Sequence, residues 1–303
     1  MMTKLLEDYV TLRRATGFQF HTEAVQLRSF VAFAESRGDR RVRTTTAVKW
    51  ASQTRTPRQR HKRLRVVARF AEHLRAEDPR HELLPARLFA STVSRPSPRI
   101  FTEDEIQSIV SCAATVGRKG DLLGKTYSTL YGIIATTGMR VSEALSLRLS
   151  DVSAEGLTIR KTKFGKSRIL PLHPTTSAAL SSYIRVRRRL ATKTDAIFVS
   201  IRRGPLSKHQ ALIMFRKVAS LAGITTDAFG KRPRIHDLRH TFAVRALERC
   251  PVGRDRVERH IVALTTYLGH TRIESTYWYL EATPQLMRDI AAACEAVVEG
   301  GAR

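Results

Sequence analysis

Two arginines, two histidines and a tyrosine between positions 140 and 279 of this 303-residue chain have the types and order needed to attack a phosphodiester. HDLRH at 236–240 supplies His236, Arg239 and His240, and YLGH at 267–270 supplies His270. TYWYL at 276–280 supplies Tyr277 and Tyr279, and TGMRVSEAL at 137–145 adds Arg140. Arginine grips phosphate oxygens with two parallel N–H donors, histidine moves protons near neutral pH, and tyrosine can bond covalently to phosphorus. Such a set needs no metal. In so basic a chain it points to breaking and rejoining DNA strands.

Each piece also has an ordinary reading. Arg140 and Glu143 are three residues apart and are expected on one helix face, with Glu143 buttressing Arg140; alone, an RxxE pair is commonly a surface ion pair. His236, Arg239 and His240 fall at i, i+3 and i+4, behind a basic approach of Lys231, Arg232 and Arg234 that favours an anion. A zinc reading of His236 and His240 lacks carboxylate or thiol partners at ligand spacing. Lys163 and Lys166 sit at a predicted hairpin tip, where an ammonium could protonate a leaving 5′ oxygen. A tyrosine nucleophile starts from a pKa near about 10 and needs a neighbouring base. Tyr277 and Tyr279 are both available, and aromatic core residues would look the same.

The elements that must position these groups sit in a chain of formal charge +26, with 53 Lys and Arg against 27 Asp and Glu. That excess favours a polyanionic partner, nucleic acid, over an uncharged one. No apolar run approaches the roughly 20 residues of a membrane-spanning helix, and the N-terminus lacks a signal-peptide pattern. Cys112, Cys250 and Cys294 are few and scattered, so neither a disulfide framework nor a CxxC metal site is expected. The expectation is a cytoplasmic, nucleoid-associated protein.

Residues 1–90 read as a helical domain. Leu5, Tyr9 and Leu12 begin one amphipathic pattern that stops at Gly17; Val25, Leu27, Phe30, Val31 and Phe33 make a second, ending at Gly38. A third starts at Thr44 or Thr45. A fourth has Thr56 as N-cap and Pro57 at its first position, with Leu64, Val67, Phe70 and Leu74 on its apolar face. Its other face carries Arg58, Arg60, His61, Lys62, Arg63 and Arg65, expected on a DNA backbone. Residues 91–100, with two prolines, read as a linker. The capping box Thr102/Glu105 opens the next helix, 103–116. Beyond it the patterns predict a helix at 126–149, strands at 157–161 and 168–172, and helices at 175–190, 207–222, 237–249, 256–268 and 284–298. Residues 1–100 hold 21 basic and 9 acidic side chains, denser than the remainder, and two basic lobes suit a clamp on a duplex.

Together these segments resemble the tyrosine recombinase (phage integrase, Xer-like) family. TGMRVSE matches the family's TGxRxSE, TKFGKSRILPL aligns with its GKGxKxRxxPL hairpin and places the lysine at Lys163, HDLRHTF matches its HxLRHxF, and LGH is followed nine residues on by a tyrosine. IFVSIRRGPLS at 197–207, LAGI at 221–224 and TPRQRHKRLRVVARFAEHL also look like family segments. The nine-residue step selects Tyr279 over Tyr277. The resemblance implies a mainly α protein: a helical, SAM-like core-binding domain over 1–90, and a mixed α+β catalytic domain over 101–303 with a small antiparallel hairpin or sheet. It implies catalysis by Arg140, Lys163, His236, Arg239, His270 and the nucleophile Tyr279, supported by Glu143 and His240. DNA contacts fall to Arg58, Arg60, Lys62, Arg63, Arg65, Lys166, Arg232 and Arg234. No cofactor and no metal are implied. Tyr279 would form a 3′-phosphotyrosine while Lys163 protonates the departing 5′ oxygen.

The implied partners are duplex DNA and either three further copies on two duplexes or sister recombinases, with the 284–298 helix (Leu286, Ile290, Cys294, Val297) docking on the next subunit. The long charged connection ERCPVGRDRVERHIVALTTYLGH departs from the family's usual spacing and resembles integrases of transposable elements, including recombinase-in-trio types. Two rival readings share the residues: a non-catalytic DNA-binding relative, and a type IB topoisomerase that relaxes DNA as a monomer.

Overall fold

Apolar side chains recurring at three- and four-residue spacing fold the first part of the chain into four helices: α1 (Met2–Ala15), α2 (His21–Glu35), α3 (Thr44–Ser52) and α4 (Pro57–Arg75). The structure, a computed structural model, describes residues 2–85, 98–118, 122–160, 167–192, 194–227, 230–249, 254–270 and 272–279, without the side chains of 254 and 255. The chain divides into two compact units, Met1–Arg95 and Pro96–Arg303.

In the first unit, Leu6, Tyr9, Leu27, Phe30, Trp50, Leu64, Val67, Phe70 and Leu74 form one buried cluster. The Trp50 indole N–H donates to Ser29 Oγ at 3.2 Å, and Phe30 meets its ring edge-on. Helix α4 starts as its residues dictate: the Thr56 hydroxyl accepts the Gln59 N–H, and Pro57 occupies the first position. Two expected core positions face outward instead, Val25 (65% exposed) and Leu12 (48%). Ala24 takes the buried face of α2 in place of Val25, beside the expected Leu27, Phe30 and Val31.

The second unit contains α5 (Glu103–Ala114), α6 (Leu123–Thr137), α7 (Val141–Leu145), a 3-10 turn (Leu149–Asp151), β1 (Val152–Ser153), β2 (Gly156–Ile159) and β3 (Arg168–Leu170). It continues with α8 (Pro174–Arg188), α9 (Lys208–Leu221), α10 (Ile235–Glu248), α11 (Arg254–Leu268) and α12 (Glu274–Tyr277). The capping box forms as predicted: Thr102 Oγ1 accepts the Glu105 N–H, and Glu105 accepts that of Thr102. The strands form an antiparallel sheet in the order β1-β2-β3, with Leu157 opposite Leu170 in the core. The short β1 and α12 go beyond what the residue pattern predicts. The predicted hairpin tip, with Lys163 and Lys166, and the predicted 284–298 helix lie outside the described residues.

The expected helix 126–149 is not one helix. It breaks at Gly138, which adopts φ +61° and caps α6. A side chain there would collide with the Phe242 ring, its Cβ falling 2.4 Å from Cδ1. Arg140 therefore lies before α7 with an extended backbone, and does not share a helix face with Glu143 as expected. Helix α10 packs against α6, which brings the 138–140 turn beside the HDLRH segment.

Candidate active site

The C-terminal end of α11 organises the site. A helix leaves its last carbonyls without intrahelical donors and concentrates negative partial charge there. Three arginines from three other elements fill that role. Arg168 Nε, on β3, donates to Tyr267 O at 2.9 Å, and Arg239 Nη2, on α10, donates to Leu268 O at 2.8 Å. Arg140 Nη2, on the α6–α7 turn, donates to Gly269 O at 2.9 Å. Gly269 must be glycine to make this cap: its φ is +64°, and a Cβ would lie 2.7 Å from Arg168 Nη1.

Glu143 ties two of these guanidiniums together. Its carboxylate accepts from Arg140 Nη1 (2.8 Å), the Arg140 backbone N–H (2.9 Å) and both terminal nitrogens of Arg168 (3.3 and 3.0 Å). Burial pushes the Glu143 carboxyl up, but the Arg168 bonds and the Arg140 N–H outweigh it and hold it below the usual range, so it is ionised. The pairing is a bidentate fork on Arg168 and an end-capping contact for α7 on Arg140. One carboxylate against three guanidiniums leaves a surplus of positive charge suited to an anion.

Arg239 is almost fully buried, at 1% exposure, and donates through Nη1 to Gly138 O at 2.7 Å. Burial and the nearby Arg140 charge lower its pKa to about 10, while Tyr279 and Glu143 oppose that, so it stays charged near neutral pH. Its Nη2 also lies 2.9 Å from His270 Nε2. A guanidinium can only donate, so Nε2 accepts and the neutral ring carries its hydrogen on Nδ1. That hydrogen points at Thr276 Oγ1, 2.8 Å away. Thr276 Oγ1 is in turn 2.9 Å from Thr265 Oγ1, which is 2.7 Å from Ile261 O. Thr265 Oγ1 is the donor to Thr276 Oγ1, and it is the Arg239 contact that fixes the His270 tautomer.

The two candidate tyrosines part company. Tyr277 is 45% exposed, whereas Tyr279 is 2% exposed, with its hydroxyl 3.1 Å from His240 Nδ1 and its ring parallel to that of His270 at 6.1 Å. His236 is exposed, and its ring stands 4.5 Å from that of His240. Arg140, Glu143, Arg239, His240, His270 and Tyr279 are thus brought into one cluster, with His236 at its edge. Arg168 and Thr276 belong to it as well; neither stands among the expected site residues, and nothing in the type or spacing of Thr276 singles it out in the sequence. Arg168 fills the arginine position of the GKGxKxRxxPL pattern with which TKFGKSRILPL aligns, and that position is the signal that could have found it.

The candidate DNA-contacting residues separate by what they touch. Arg60 donates through Nε to Thr54 O (3.0 Å), and Arg63 donates to Trp50 O (3.1 Å) while stacking on the Trp50 ring. Both are turned to the protein's own backbone, as is usual for a guanidinium beside unsatisfied carbonyls at a helix end. Arg58, Lys62 and Arg65 are exposed on one face of α4, which continues to Arg69, a residue outside the basic run that marks this helix in the sequence. Arg232 is exposed and Lys231 half-buried, whereas Arg234 is paired with the buried Asp237 that caps α10. Among the described residues no group of three or more His, Cys, Asp or Glu side chains gathers as a metal site would require.

Comparison with known proteins gives a consistent result. The model of the phage integrase family matches residues 99–285. A Sinorhizobium fredii protein named as an integrase/recombinase (y4rB) is 33% identical over 297 residues, covering 94% of each chain. The solved structure of the Tn1549 transposon integrase in complex with transposon right end DNA is 18% identical, covers 95% of this chain and 98% of its own, and superposes with a TM-score of 0.67. That of the lambda integrase tetramer bound to a Holliday junction is 18% identical, covers 89% and 77%, and gives 0.64.

Proposed function

The chain belongs to the phage integrase family, the tyrosine recombinases, and from that membership we propose that it is a site-specific recombinase that cuts and rejoins DNA through a 3′-phosphotyrosine at Tyr279. It is a DNA strand-transfer enzyme. The observation that carries the residue-level reading is the connected cluster of Arg140, Glu143, Arg239 and His270 beside Tyr279, built on the end of α11.

In this mechanism Arg140 and Arg239 hold the non-bridging oxygens of the scissile phosphate and stabilise the charge that grows in the transition state, without a metal. The bonds described above use two of the five N–H groups of Arg140 and three of those of Arg239, which leaves donors for phosphate. His236 donates a hydrogen bond to the phosphate, His270 assists through the Arg239 guanidinium that it holds, and Lys163 protonates the departing 5′ oxygen. The phosphotyrosine retains the energy of the ester, so a 5′ hydroxyl of a partner strand can reseal it without a nucleotide cofactor.

The unit up to residue 90 serves as the core-binding part and residues 101–303 as the catalytic part. The partner is duplex DNA in the nucleoid, and the working assembly is a tetramer on two duplexes, formed by this chain alone or with sister recombinases. Likeness to an integrase/recombinase and to a transposon integrase supports a role in moving a mobile element. The test is covalent trapping. Nicked duplexes that lose the short 5′-hydroxyl strand after cleavage should accumulate an SDS-resistant adduct with the wild type and none with Tyr279→Phe.

A further inference from the structure

Tyr279 cannot attack phosphorus as a neutral phenol without giving up its proton, and near neutral pH the phenolate is scarce, since an unperturbed tyrosine titrates near about 10. A base within hydrogen-bond reach of the hydroxyl is required. His270 does not qualify: its Nε2 accepts from Arg239 and its Nδ1 hydrogen is directed to Thr276. His236 is exposed, with its ring edge-on to that of His240. His240 does qualify. Its Nδ1 is 3.1 Å from the Tyr279 hydroxyl, and both residues are buried, at 3% and 2% exposure.

We propose that His240 is the general base that takes the Tyr279 proton during strand cleavage and returns it on resealing. This rests on the recombinase reading above. A phenol is a stronger hydrogen-bond donor than a neutral imidazole N–H, and an imidazole nitrogen is a stronger acceptor than a phenol oxygen. The pair is therefore Tyr279 O–H donating to His240 Nδ1, with the ring hydrogen on Nε2. On attack, the Tyr279 O–P bond forms and the bond from phosphorus to the 5′ oxygen breaks. The phenol proton passes to His240 Nδ1, and the 5′ oxygen receives a proton from Lys163. Resealing reverses each transfer, so protons and electron pairs balance over the cycle.

Neighbouring charges suit this step. The buried Arg239 guanidinium interacts electrostatically with Tyr279 and favours its ionised form. The sequence alone makes His240 one more histidine on a helix turn; the hydroxyl contact distinguishes it.

Two measurements on the full-length protein test the role. Long-range nitrogen NMR of the wild type without DNA should show His240 as the Nε2–H tautomer, with its Nδ1 signal moving in Tyr279→Phe. An Nδ1–H tautomer would overturn the proposal. The second measurement is adduct formation on nicked duplexes enriched from a randomised pool by wild-type trapping. The amide of His240→Asn reaches the position of Nδ1 and keeps a hydrogen bond there but has no basic nitrogen. This variant should cleave slower by roughly 10²–10⁴-fold, lose the wild type's fall in rate at low pH, and recover as pH rises towards the phenol's own ionisation. A His240→Asn variant with the wild-type rate and pH profile would show that His240 only positions the phenol, and would overturn the base role while leaving the recombinase reading intact. Failure of the wild type to form any adduct would overturn both.

Discussion

Arg168 is the residue whose importance the geometry adds most clearly. It binds Glu143 through both terminal nitrogens and caps α11 through Nε, so one side chain sets both the carboxylate that holds Arg140 and the carbonyl row that Arg140 and Arg239 share. Arg168→Ala should slow adduct formation on the order of 10²-fold, with DNA affinity changing much less. Arg168→Lys should not rescue it, because an ammonium lacks the planar fork. Equal losses in affinity and in cleavage would contradict a positioning role. The types and order of Arg140, His236, Arg239, His270 and Tyr279 were legible because phosphate chemistry demands those groups. Arg168 fills the arginine position of the hairpin pattern, but its role, like that of Thr276, was not legible, since each acts through a neighbour that only the fold brings near. The choice of Tyr279 over Tyr277 came from the nine-residue step; burial and the His240 contact then separate the two physically.

Helices whose apolar faces repeat regularly and whose ends carry strong caps, such as α4 and α5, were legible almost to the residue. The break between α6 and α7 was not, because Ile134, Val141 and Leu145 keep apolar side chains at helical spacing (i, i+7, i+11) across Gly138. The collision of any side chain there with Phe242 is a tertiary fact. A connection of another kind closes the first unit, where buried His81 accepts the Val42 N–H on Nδ1 at 3.1 Å. Burial lowers the His81 pKa, with Asp78 opposing and Arg41 and Arg80 assisting. The unfolded chain therefore binds a proton more readily than the folded one. The contribution is fully present above the unfolded value of about 6.5 and is lost as pH falls below it towards the lower folded value. Denaturant titrations followed by Trp50 fluorescence should give a midpoint that drops between pH 7.5 and 5.5, and a smaller drop in His81→Asn. An equal drop in both would assign the pH dependence elsewhere.

At the scale of the whole molecule, a charge of +26 makes a polyanion the expected partner, but it does not say which cations meet it. Arg60 and Arg63 are occupied by backbone carbonyls and Trp50, whereas Arg58, Lys62, Arg65 and Arg69 face outward along α4. Replacing those four by Ala should reduce the slope of log K against log salt by about 0.9 for each phosphate no longer neutralised. Arg63→Ala should instead lower stability and leave the slope nearly unchanged. An unaltered slope in the fourfold variant would remove this face from the DNA interface. In the proposed mechanism, strand transfer by this chain turns on one phenol, Tyr279, carrying the DNA. Digestion of the SDS-resistant adduct and mass spectrometry of the DNA-linked peptide reads this out directly. The expected result is a nucleotide on Tyr279, an adduct retained in Tyr277→Phe, and none in Tyr279→Phe; a nucleotide on Tyr277, or an adduct surviving in Tyr279→Phe, would contradict it.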